Sequence, residues 1–405
     1  MKDLAINGGD PVRRTLLGYG HQLIEQSDID AVVQVLKSDY LTCGPATEEF
    51  EGRLARIANA SYVTAVSSGT AALHVACLAA GIGSGDEVIV SPITFAASAN
   101  CVLYCGGTPI FADIDALTWN ISVDSIRQKI TERTRAIIAV DFGGCPVALD
   151  DIRSLCNEHG LILIEDAAHS LGSQYRGECV GSIADLTTFS FHPVKTVTTG
   201  EGGAVATRNP ELAQRVELFA KHGITRNREL MVDKTDGDWH YEQLELGYNY
   251  RISDIQAALG ISQLDRLPEF ARRRQEIVAY YDEAFACIPH VSFQLDLAPE
   301  STVRHLYVLR FDTEALQTSR RFIFDALRCE GIGVNVHYLP VFRLPYYARL
   351  GYDPNCCAEA NLFYDQAITL PLHCSMSDAD VRDVVNAVRK VIEWIMKEGA
   401  CGDVR

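Results

Sequence analysis

The sequence predicts an α/β protein with two domains, a larger one built on a mostly parallel seven-stranded sheet and a smaller α+β domain at the C-terminus. Three observations support this prediction. Short β-branched runs alternate with segments of helical period in the first half of the chain, several of those runs are apolar at consecutive positions, and helical patterns dominate after Asp254. We place the larger domain at residues 20–265. The smaller domain consists of residues 266–405 together with the N-terminal segment 1–19.

The predicted strands of the sheet are short runs rich in Val, Ile, Ala and Phe. They cover residues 62–66, 87–90, 109–113, 136–141, 161–166, 186–190 and 203–207. Helix patterns at residues 70–80, 95–104, 122–130 and 149–158 stand between the earlier runs. Because strand–helix–strand connections join parallel strands, most of the sheet should be parallel. A loop separates the last two runs, so we expect that part of the sheet to be irregular.

The C-terminal part of the chain predicts the smaller α+β domain. Helical patterns cover residues 254–286, 319–330 and 378–397, and strand-like segments cover residues 305–311 and 333–337. Pro289 indicates a hinge after the first of these helical segments.

The formal net charge of −17 argues against one class of partner. A strongly negative field repels phosphate backbones, so we expect no nucleic-acid binding, although a local cluster of donors can still hold a small anion. No apolar run spans a bilayer and the N-terminus lacks a signal-peptide core, so we expect a cytoplasmic protein with no membrane partner. The 13 cysteines include no C-x-x-C pair, which predicts reduced, packed thiols and no metal site.

A phosphate site is predicted where the first strand ends. Ser68, Gly69 and Thr70 follow that strand and open a helix. The free amides and the positive dipole of a helix N-terminus suit a phosphate, and a glycine lets the ligand approach the backbone. The alternative is that the serine and threonine only cap a buried helix.

A carboxylate and an amine stand in two later motifs. Asp166 ends the apolar strand LILIED, at the sheet edge where open α/β sheets bind ligands, or else it caps the next helix. His169 follows three residues on and either faces the same way or is a satisfied core histidine. Lys195 lies in SFHPVKTVTTGEGG among small, hydroxylated and apolar residues. Desolvation there would lower its pKa and make it a nucleophile for a carbonyl; the alternative is a surface lysine.

Together these three motifs predict one cofactor, pyridoxal 5′-phosphate (PLP). PLP needs a lysine for covalent attachment, a carboxylate that keeps its ring nitrogen protonated, and a site for its phosphate. The order phosphate loop, aspartate, lysine, with 29 residues from Asp166 to Lys195, is typical of the large domain of a fold-type I PLP-dependent enzyme.

The motifs resemble those of a known family over essentially the whole chain. SSGTAAL, PITFAAS, IEDAAHSLGS, SFHPVKTVTTGEGGAV, LGYNYRISDIQAALG and VHYLPV are similar to motifs of the DegT/DnrJ/EryC1/StrS family of PLP-dependent nucleotide-sugar aminotransferases. Within that family, SFHPVKTVTTGEGG, VDFGG and HYLPVFRLPYY most resemble the UDP-4-amino-4,6-dideoxy-N-acetyl-β-L-altrosamine transaminases of pseudaminic acid biosynthesis.

The resemblance implies roles around the cofactor. Lys195 matches the lysine that binds PLP, Asp166 matches the carboxylate on the pyridine nitrogen, and His169 matches the residue beside the ring. Phe95 matches the aromatic residue that stacks on the ring. The residues matched to the phosphate site are Ser68, Gly69, Thr70 and Ser190.

The resemblance also implies a homodimer with two shared active sites. Asn249 and Arg251 match residues that cross the dimer interface and contact the cofactor and substrate of the partner; the alternative is a local turn with a surface salt bridge. Residues matched to the nucleotide-sugar site are Tyr19, Tyr40, Leu41, Thr42, Gly69, Ser190, Asn249, Val336, His337 and Tyr338. For His337 and Tyr338 the alternative is a strand end that packs on a loop.

The activity implied is the transfer of an amino group from L-glutamate to the 4-keto group of a UDP-linked 4-keto-6-deoxy-N-acetylhexosamine. Another NDP-sugar 3- or 4-aminotransferase is the alternative. Lys195 argues against a sugar dehydratase, in which histidine replaces the lysine, and the early start of the PLP-type domain leaves no room for the DNA-binding module of a regulator. We expect local cations to receive the sugar diphosphate, with candidates Arg226, Arg228, Arg251, Arg304 and His305.

Overall fold

The computed structural model describes residues 3–233, 237–296 and 298–399. Its strands are β1 (Tyr62–Val66), β2 (Glu87–Val90), β3 (Thr108–Phe111), β4 (Thr134–Val140), β5 (Ile162–Asp166), β6 (Gln174–Tyr175), β7 (Glu178–Cys179), β8 (Leu186–Ser190), β9 (Gly203–Thr207), β10 (Ile224–Thr225), β11 (Glu242–Gln243), β12 (Val291–Phe293), β13 (Tyr307–Phe311) and β14 (Ala367–Leu370).

The helices alternate with these strands. They are α1 (Gln26–Leu36), α2 (Pro45–Ile57), α3 (Gly69–Ala79), α4 (Ala97–Tyr104), α5 (Val123–Lys129), α6 (Leu149–His159), α7 (Pro210–Ala220), α8 (Asp254–Asp265), α9 (Leu267–Phe285), α10 (Arg320–Cys329), α11 (Pro345–Arg349), α12 (Ala358–Gln366) and α13 (Asp378–Gly399). None of the helices within the described ranges has both the length and the apolar character that a membrane span requires.

A seven-stranded sheet in the order β1-β9-β8-β5-β4-β2-β3 forms the centre of the larger part of the protein. All seven predicted runs are strands of this sheet, so the predicted fold class is confirmed. The neighbours from β8 through β3 are parallel, whereas β9 is antiparallel to both β8 and β1. The irregularity expected at the last run is therefore correct, because a loop without a crossover helix can return the chain only antiparallel.

Both faces of the sheet are covered, which is why its strands are apolar at consecutive positions. In β4, Ile137 packs with Ile152 of α6 on one face, while Ile138 packs with the α3 side of the sheet on the other. A run of this kind cannot alternate apolar with polar residues, because both faces are excluded from water. Because β8, β5, β4, β2 and β3 are parallel, their carboxyl ends meet at one edge of the sheet.

A three-stranded antiparallel sheet, β12-β13-β14, belongs to the C-terminal part. Its core includes Phe311 of β13 and Val388 of α13, and Leu4 near the N-terminus is fully buried in the same cluster. The amides of Ala5 and Val12 both donate to the carboxylate of Glu330, at 2.9 Å. The division at residues 265 and 266 stays a prediction.

Two elements differ from the prediction. Residues 333–337 are not a strand: only Asn335 pairs with a neighbour, Thr369, and the segment runs on toward the sheet edge. The helical pattern over 254–286 divides into α8 and α9 at Arg266, because Pro268 lacks an amide to continue the hydrogen-bond ladder of α8. The described cysteines are free thiols; Cys401 lies outside the described residues.

Candidate active site

A cavity of about 610 Å³ opens at the edge where the parallel strands end. Asp166 ends β5, Ser190 ends β8, and Ser68 follows β1, so residues far apart in the chain meet here. Most of the predicted site residues line it, namely Tyr19, Ser68, Gly69, Thr70, Phe95, Asp166, His169, Ser190, Lys195, Val336, His337 and Tyr338.

The first turn of α3 forms one end of the cavity. The Ser68 hydroxyl accepts a hydrogen bond from the Ala71 amide at 3.1 Å and so caps the helix, as the alternative interpretation expected. Gly69 and Thr70 nevertheless line the cavity, where the amides of a first helical turn have no partner within the helix. A Cβ on Gly69 would lie 2.8 Å from the Ser190 Cβ, so only glycine allows these two segments to approach each other. The place suits an anion such as phosphate.

Asp166 is a buried carboxylate held in one orientation. The Ser98 hydroxyl donates to its Oδ2 at 2.6 Å and the Ala168 amide donates to its Oδ1 at 3.2 Å. Burial raises the pKa of Asp166, and the two hydrogen bonds and the charge of Lys195 oppose that shift. A buried carboxylate that faces a cavity favours a cationic ligand, because an ion pair offsets its desolvation.

Lys195 faces the same cavity, in the segment between β8 and β9. Burial lowers the pKa of its amine to about 8, and the nearby Asp166 carboxylate opposes that shift. Lys195 is half-buried and lines the cavity, which argues against the surface lysine of the alternative interpretation. An amine with this pKa is partly neutral near pH 8 and therefore nucleophilic.

His169 is nearly inaccessible to solvent yet lines the cavity. The Gly143 amide donates to its Nδ1 at 3.3 Å, so the ring proton is on Nε2, which lies 3.4 Å from the Tyr338 hydroxyl. Burial lowers the pKa of His169 well below its usual range, so the ring is neutral. His169 is therefore a buried core residue that also forms part of the cavity wall, so both interpretations of this histidine hold.

Two aromatic groups and a second histidine complete the wall. Phe95 is 64% exposed and its ring centroid lies 6.4 Å from that of Tyr338, so both rings can contact a flat ligand. His337 is buried, its Nδ1 lies 2.8 Å from the Thr369 hydroxyl, and burial lowers its pKa to about 4.

Five predicted residues do not line this cavity. Thr42 forms a backbone bridge with Ser253, and Arg251 forms one with Val66, so the two predicted segments lie near each other on an exposed face beside β1. Within the described residues Arg251 makes no ion pair; its Nε donates to Asn249 Oδ1 at 3.3 Å. These exposed residues are Tyr40, Leu41, Thr42, Asn249 and Arg251.

Tyrosines hold the segment of Asn249 and Arg251 in place. Tyr248 and Tyr250 stack at 5.1 Å, and the Tyr250 hydroxyl lies 3.1 Å from Nδ1 of the buried His74 on α3. Alternate residues of an extended segment point in opposite directions, so Asn249 and Arg251 face outward.

Most of the cationic residues that we expected to bind the sugar diphosphate do not line the cavity. Arg304 is buried and pairs with Asp296 at 3.4 Å, and Arg228 pairs with Asp238 at 2.8 Å. Arg226 stacks over Tyr241. Of the set, only His305 lines the cavity, and no arginine is among the described residues that do.

Ser98 and Thr94 are two residues of the cavity that sequence reasoning missed, and Thr188, His192, Glu201 and Asn335 are others. Ser98 and Thr94 both lie in PITFAAS, from which only Phe95 was singled out. Their spacing of one helical turn, around an aromatic residue at the start of a helix pattern, is a signal that could have found them.

The donor set fits PLP. A helix N-terminus with Ser190 suits the phosphate, the buried Asp166 suits a protonated ring nitrogen, and Lys195 suits the aldehyde carbon. Phe95 provides an exposed aromatic face for the ring.

Comparisons with known proteins agree with this site. Residues 22–389 match the DegT/DnrJ/EryC1/StrS aminotransferase family. The chain is 40% identical to spore coat polysaccharide biosynthesis protein SpsC of Bacillus subtilis, over 94% of this chain and 98% of that protein. It is 37% identical to the UDP-4-amino-4,6-dideoxy-N-acetyl-beta-L-altrosamine transaminase of Campylobacter jejuni, over 96% of this chain and all of that one.

A solved structure gives the same result for the fold. PseC of Helicobacter pylori, an aminotransferase involved in pseudoaminic acid biosynthesis, superposes with a TM-score of 0.86 at 32% identity, covering 94% of this chain and 100% of that one. The family and its solved members establish PLP as the cofactor. From its motifs, its cavity and these matches, the chain belongs to the DegT/DnrJ/EryC1/StrS family and is a PLP-dependent nucleotide-sugar aminotransferase.

Proposed function

We propose that this enzyme transfers an amino group from L-glutamate to the 4-keto group of a UDP-linked 4-keto-6-deoxy-N-acetylhexosamine. The product is UDP-4-amino-4,6-dideoxy-N-acetyl-β-L-altrosamine. The observation that carries the proposal is one cavity faced by Lys195, Asp166 and the first turn of α3, in a chain similar along its whole length to a transaminase of that name.

Amino transfer takes place in two half-reactions, and each residue of the cavity has its own role in them. Bound PLP supplies an aldehyde that carries the amino group and a ring that withdraws electrons from the reacting carbon. Lys195 removes the proton from the α-carbon of glutamate and, in the second half-reaction, returns a proton to C4 of the sugar. Asp166 would hold the protonated ring nitrogen of PLP through its charged carboxylate. His169 would act beside bound PLP as a hydrogen-bond donor through Nε2, and its neutral imidazole would add no net charge there.

The sugar nucleotide requires positive charge in addition to Lys195 and the first turn of α3, which we assign to PLP. Its diphosphate is anionic, the described lining contains no arginine, and burial lowers the pKa values of His169, His305 and His337 so that these rings are neutral. Arg251 and Asn249 are exposed on an outer face, so a second copy of the chain is the source we propose. The enzyme is then a cytoplasmic homodimer with two shared sites, in which Tyr19, Tyr40, Leu41, Thr42, Val336, His337 and Tyr338 contact the sugar nucleotide.

A different sugar nucleotide is the second candidate. SpsC, the relative at 40% identity, is a protein of spore coat polysaccharide biosynthesis. This similarity favours another NDP-sugar 3- or 4-aminotransferase that uses the same residues of the cofactor site.

Product identification tests the substrate. The purified protein is incubated with L-glutamate and a set of 4-keto and 3-keto sugar nucleotides, and products are identified by mass spectrometry and NMR. We expect amination at C4 of the UDP-linked 4-keto-6-deoxy-N-acetylhexosamine, with release of 2-oxoglutarate. Amination of a 3-keto sugar, or of a different nucleotide sugar alone, would contradict the proposed substrate.

Lys195→Ala tests the cofactor site. We expect loss of turnover and of the visible absorption band of the bound cofactor, because the variant has no amine to attach it. Borohydride reduction of the wild type should add the mass of reduced PLP to the peptide with Lys195. Lys37→Ala, at an exposed lysine after α1, is the matched control and should retain both properties.

A further inference from the structure

Two hydroxyl groups form a chain that ends at the Asp166 carboxylate. The Ser98 Oγ lies 2.6 Å from Asp166 Oδ2, and the Thr94 Oγ1 lies 2.7 Å from the Ser98 Oγ. All three side chains are almost completely buried. Because an ionised carboxylate only accepts hydrogen bonds, Ser98 donates its single hydroxyl proton to Asp166. Thr94 therefore donates to Ser98, and each hydrogen bond polarises the next.

The chain of hydroxyls joins two elements that are far apart in sequence. Ser98 lies in the first turn of α4, whereas Asp166 ends β5, 68 residues later. The Ser98 amide donates to the Phe95 carbonyl at 3.2 Å, so the same turn also holds Phe95 at the cavity. One short segment thus sets the position of a ring-stacking residue and the direction of the carboxylate.

We propose that Ser98 is a positioning residue that acts through Asp166, aims its carboxylate into the cavity and keeps it ionised, and that Thr94 orients Ser98. Burial favours the neutral acid, whereas a hydrogen bond donated to the carboxylate favours the charged form. Ser98 is the one donor to the buried Oδ2 among the described residues, so its loss would leave that oxygen without a hydrogen-bond donor in this part of the chain. This inference rests on the role proposed above for Asp166.

The test is the PLP dissociation constant of Ser98→Ala, measured against pH. Because a hydrogen bond to a charged group is lost, we expect PLP to bind roughly ten- to a hundredfold more weakly near pH 8. The carboxylate then gains its proton more easily, so the loss of affinity on acidification should begin about one pH unit higher than in the wild type. In Ser98→Ala the fold decrease in kcat should be larger than the fold change in the KM for glutamate.

Conservative variants separate positioning from packing. Ser98→Thr keeps the hydroxyl, so its affinity for PLP should be much closer to that of the wild type than the affinity of Ser98→Ala. Thr94→Val preserves shape, removes only the donor to Ser98, and should shift the pH dependence in the same direction by a smaller amount. Thr94→Val keeps the proposal testable if Ser98→Ala fails to fold, because an unchanged pH dependence in a folded Thr94→Val protein would overturn it.

Ser173→Ala is the matched control. Ser173 is equally buried, but within the described ranges its hydroxyl bonds only to the Gly144 carbonyl and the Val303 amide. We expect a loss of thermal stability without a change in PLP affinity against pH. If Ser98→Ala behaves in the same way while Asp166→Asn loses affinity and turnover, the role of Ser98 is wrong and the proposed function stands. If Asp166→Asn is also unchanged, the role proposed for Asp166 fails as well.

Discussion

The chemistry of Lys195 depends on where its amine lies. In water a lysine is charged at neutral pH, and a charged amine does not attack a carbonyl. Here burial lowers its pKa from 10.5 to about 8, while Asp166 limits the shift by favouring the charged form. Moderate burial beside one carboxylate therefore gives an amine that is partly neutral at physiological pH and can still take up a proton.

The pH dependence of cofactor attachment follows from this pKa. PLP is added to the cofactor-free protein, and the rate at which the visible band appears is followed by stopped-flow absorbance. Since only the neutral amine reacts, the rate should rise with pH and level off above about 8. A rate that keeps rising toward pH 10.5 would indicate an ordinary, solvated lysine. In Asp166→Asn the plateau should begin at a lower pH, because the charge that raises the amine pKa is gone.

At the scale of elements, the start of α3 combines two tasks. The Ser68 hydroxyl caps the helix through the Ala71 amide, which leaves other first-turn amides for a ligand. Gly69 lies against Ser190, so the end of β8 and the start of α3 approach more closely than any side chain would allow. The proposed phosphate site depends on a helix that begins where two strands end.

Gly69→Ala should damage this proposed phosphate site. Its Cβ would lie 2.8 Å from Ser190 Cβ and 2.9 Å from Ser190 Oγ, so the strand end must move. We expect about tenfold weaker PLP binding and a loss of about 1–3 kcal/mol in the free energy of unfolding, as for other overpacked sites. Absorbance titration and thermal unfolding measure the two effects.

Gly52→Ala is the control for the substitution itself. Gly52 is inside α2, and the nearest atom to a Cβ added there would be Arg56 Nη1 at 3.8 Å. A helical alanine at this position should leave PLP binding unchanged and stabilise the protein by up to about 1 kcal/mol. Equal PLP affinity in both variants would mean that the Gly69 approach does not matter for the cofactor.

At the scale of the whole molecule, the described chain alone offers an incomplete site for an anionic substrate. No arginine is among the described residues that line its cavity, while Arg251 lies on an exposed face. A dimer with twofold symmetry would supply the missing cationic residue. Each copy presents the same face to the other, so both sites would be completed in the same way.

Mixing inactive variants tests the shared site. Lys195→Ala and Arg251→Ala are mixed under conditions that exchange subunits, and turnover is measured. About half of the dimers would then contain one subunit of each variant. In such a dimer one site has both Lys195 and Arg251 and the other has neither. About a quarter of wild-type activity should therefore return. Lys195→Ala mixed with Asp166→Asn should recover none, since each cavity then carries one defect. No recovery in the first mixture would contradict sharing between subunits.

Much of the fold could be predicted because local patterns report burial. The strand around Ile137 and Ile138 is apolar on both faces and could be recognised without a partner in view. Residues 333–337 show the limit: their apolar residues resemble a strand, but a strand needs a neighbour along its length, and only Asn335 has one.

For the site, the order of chemical groups along the chain determined the cofactor, since a helix-opening glycine, an aspartate after an apolar strand and a lysine in an apolar segment are local features. Tertiary structure alone decided which donors act together. Ser98 meets Asp166, Arg304 pairs with Asp296 away from the cavity, and Arg251 faces outward. The physical reason is that pattern and propensity act over a few neighbouring residues, whereas hydrogen bonds, ion pairs and desolvation depend on which distant segments pack together.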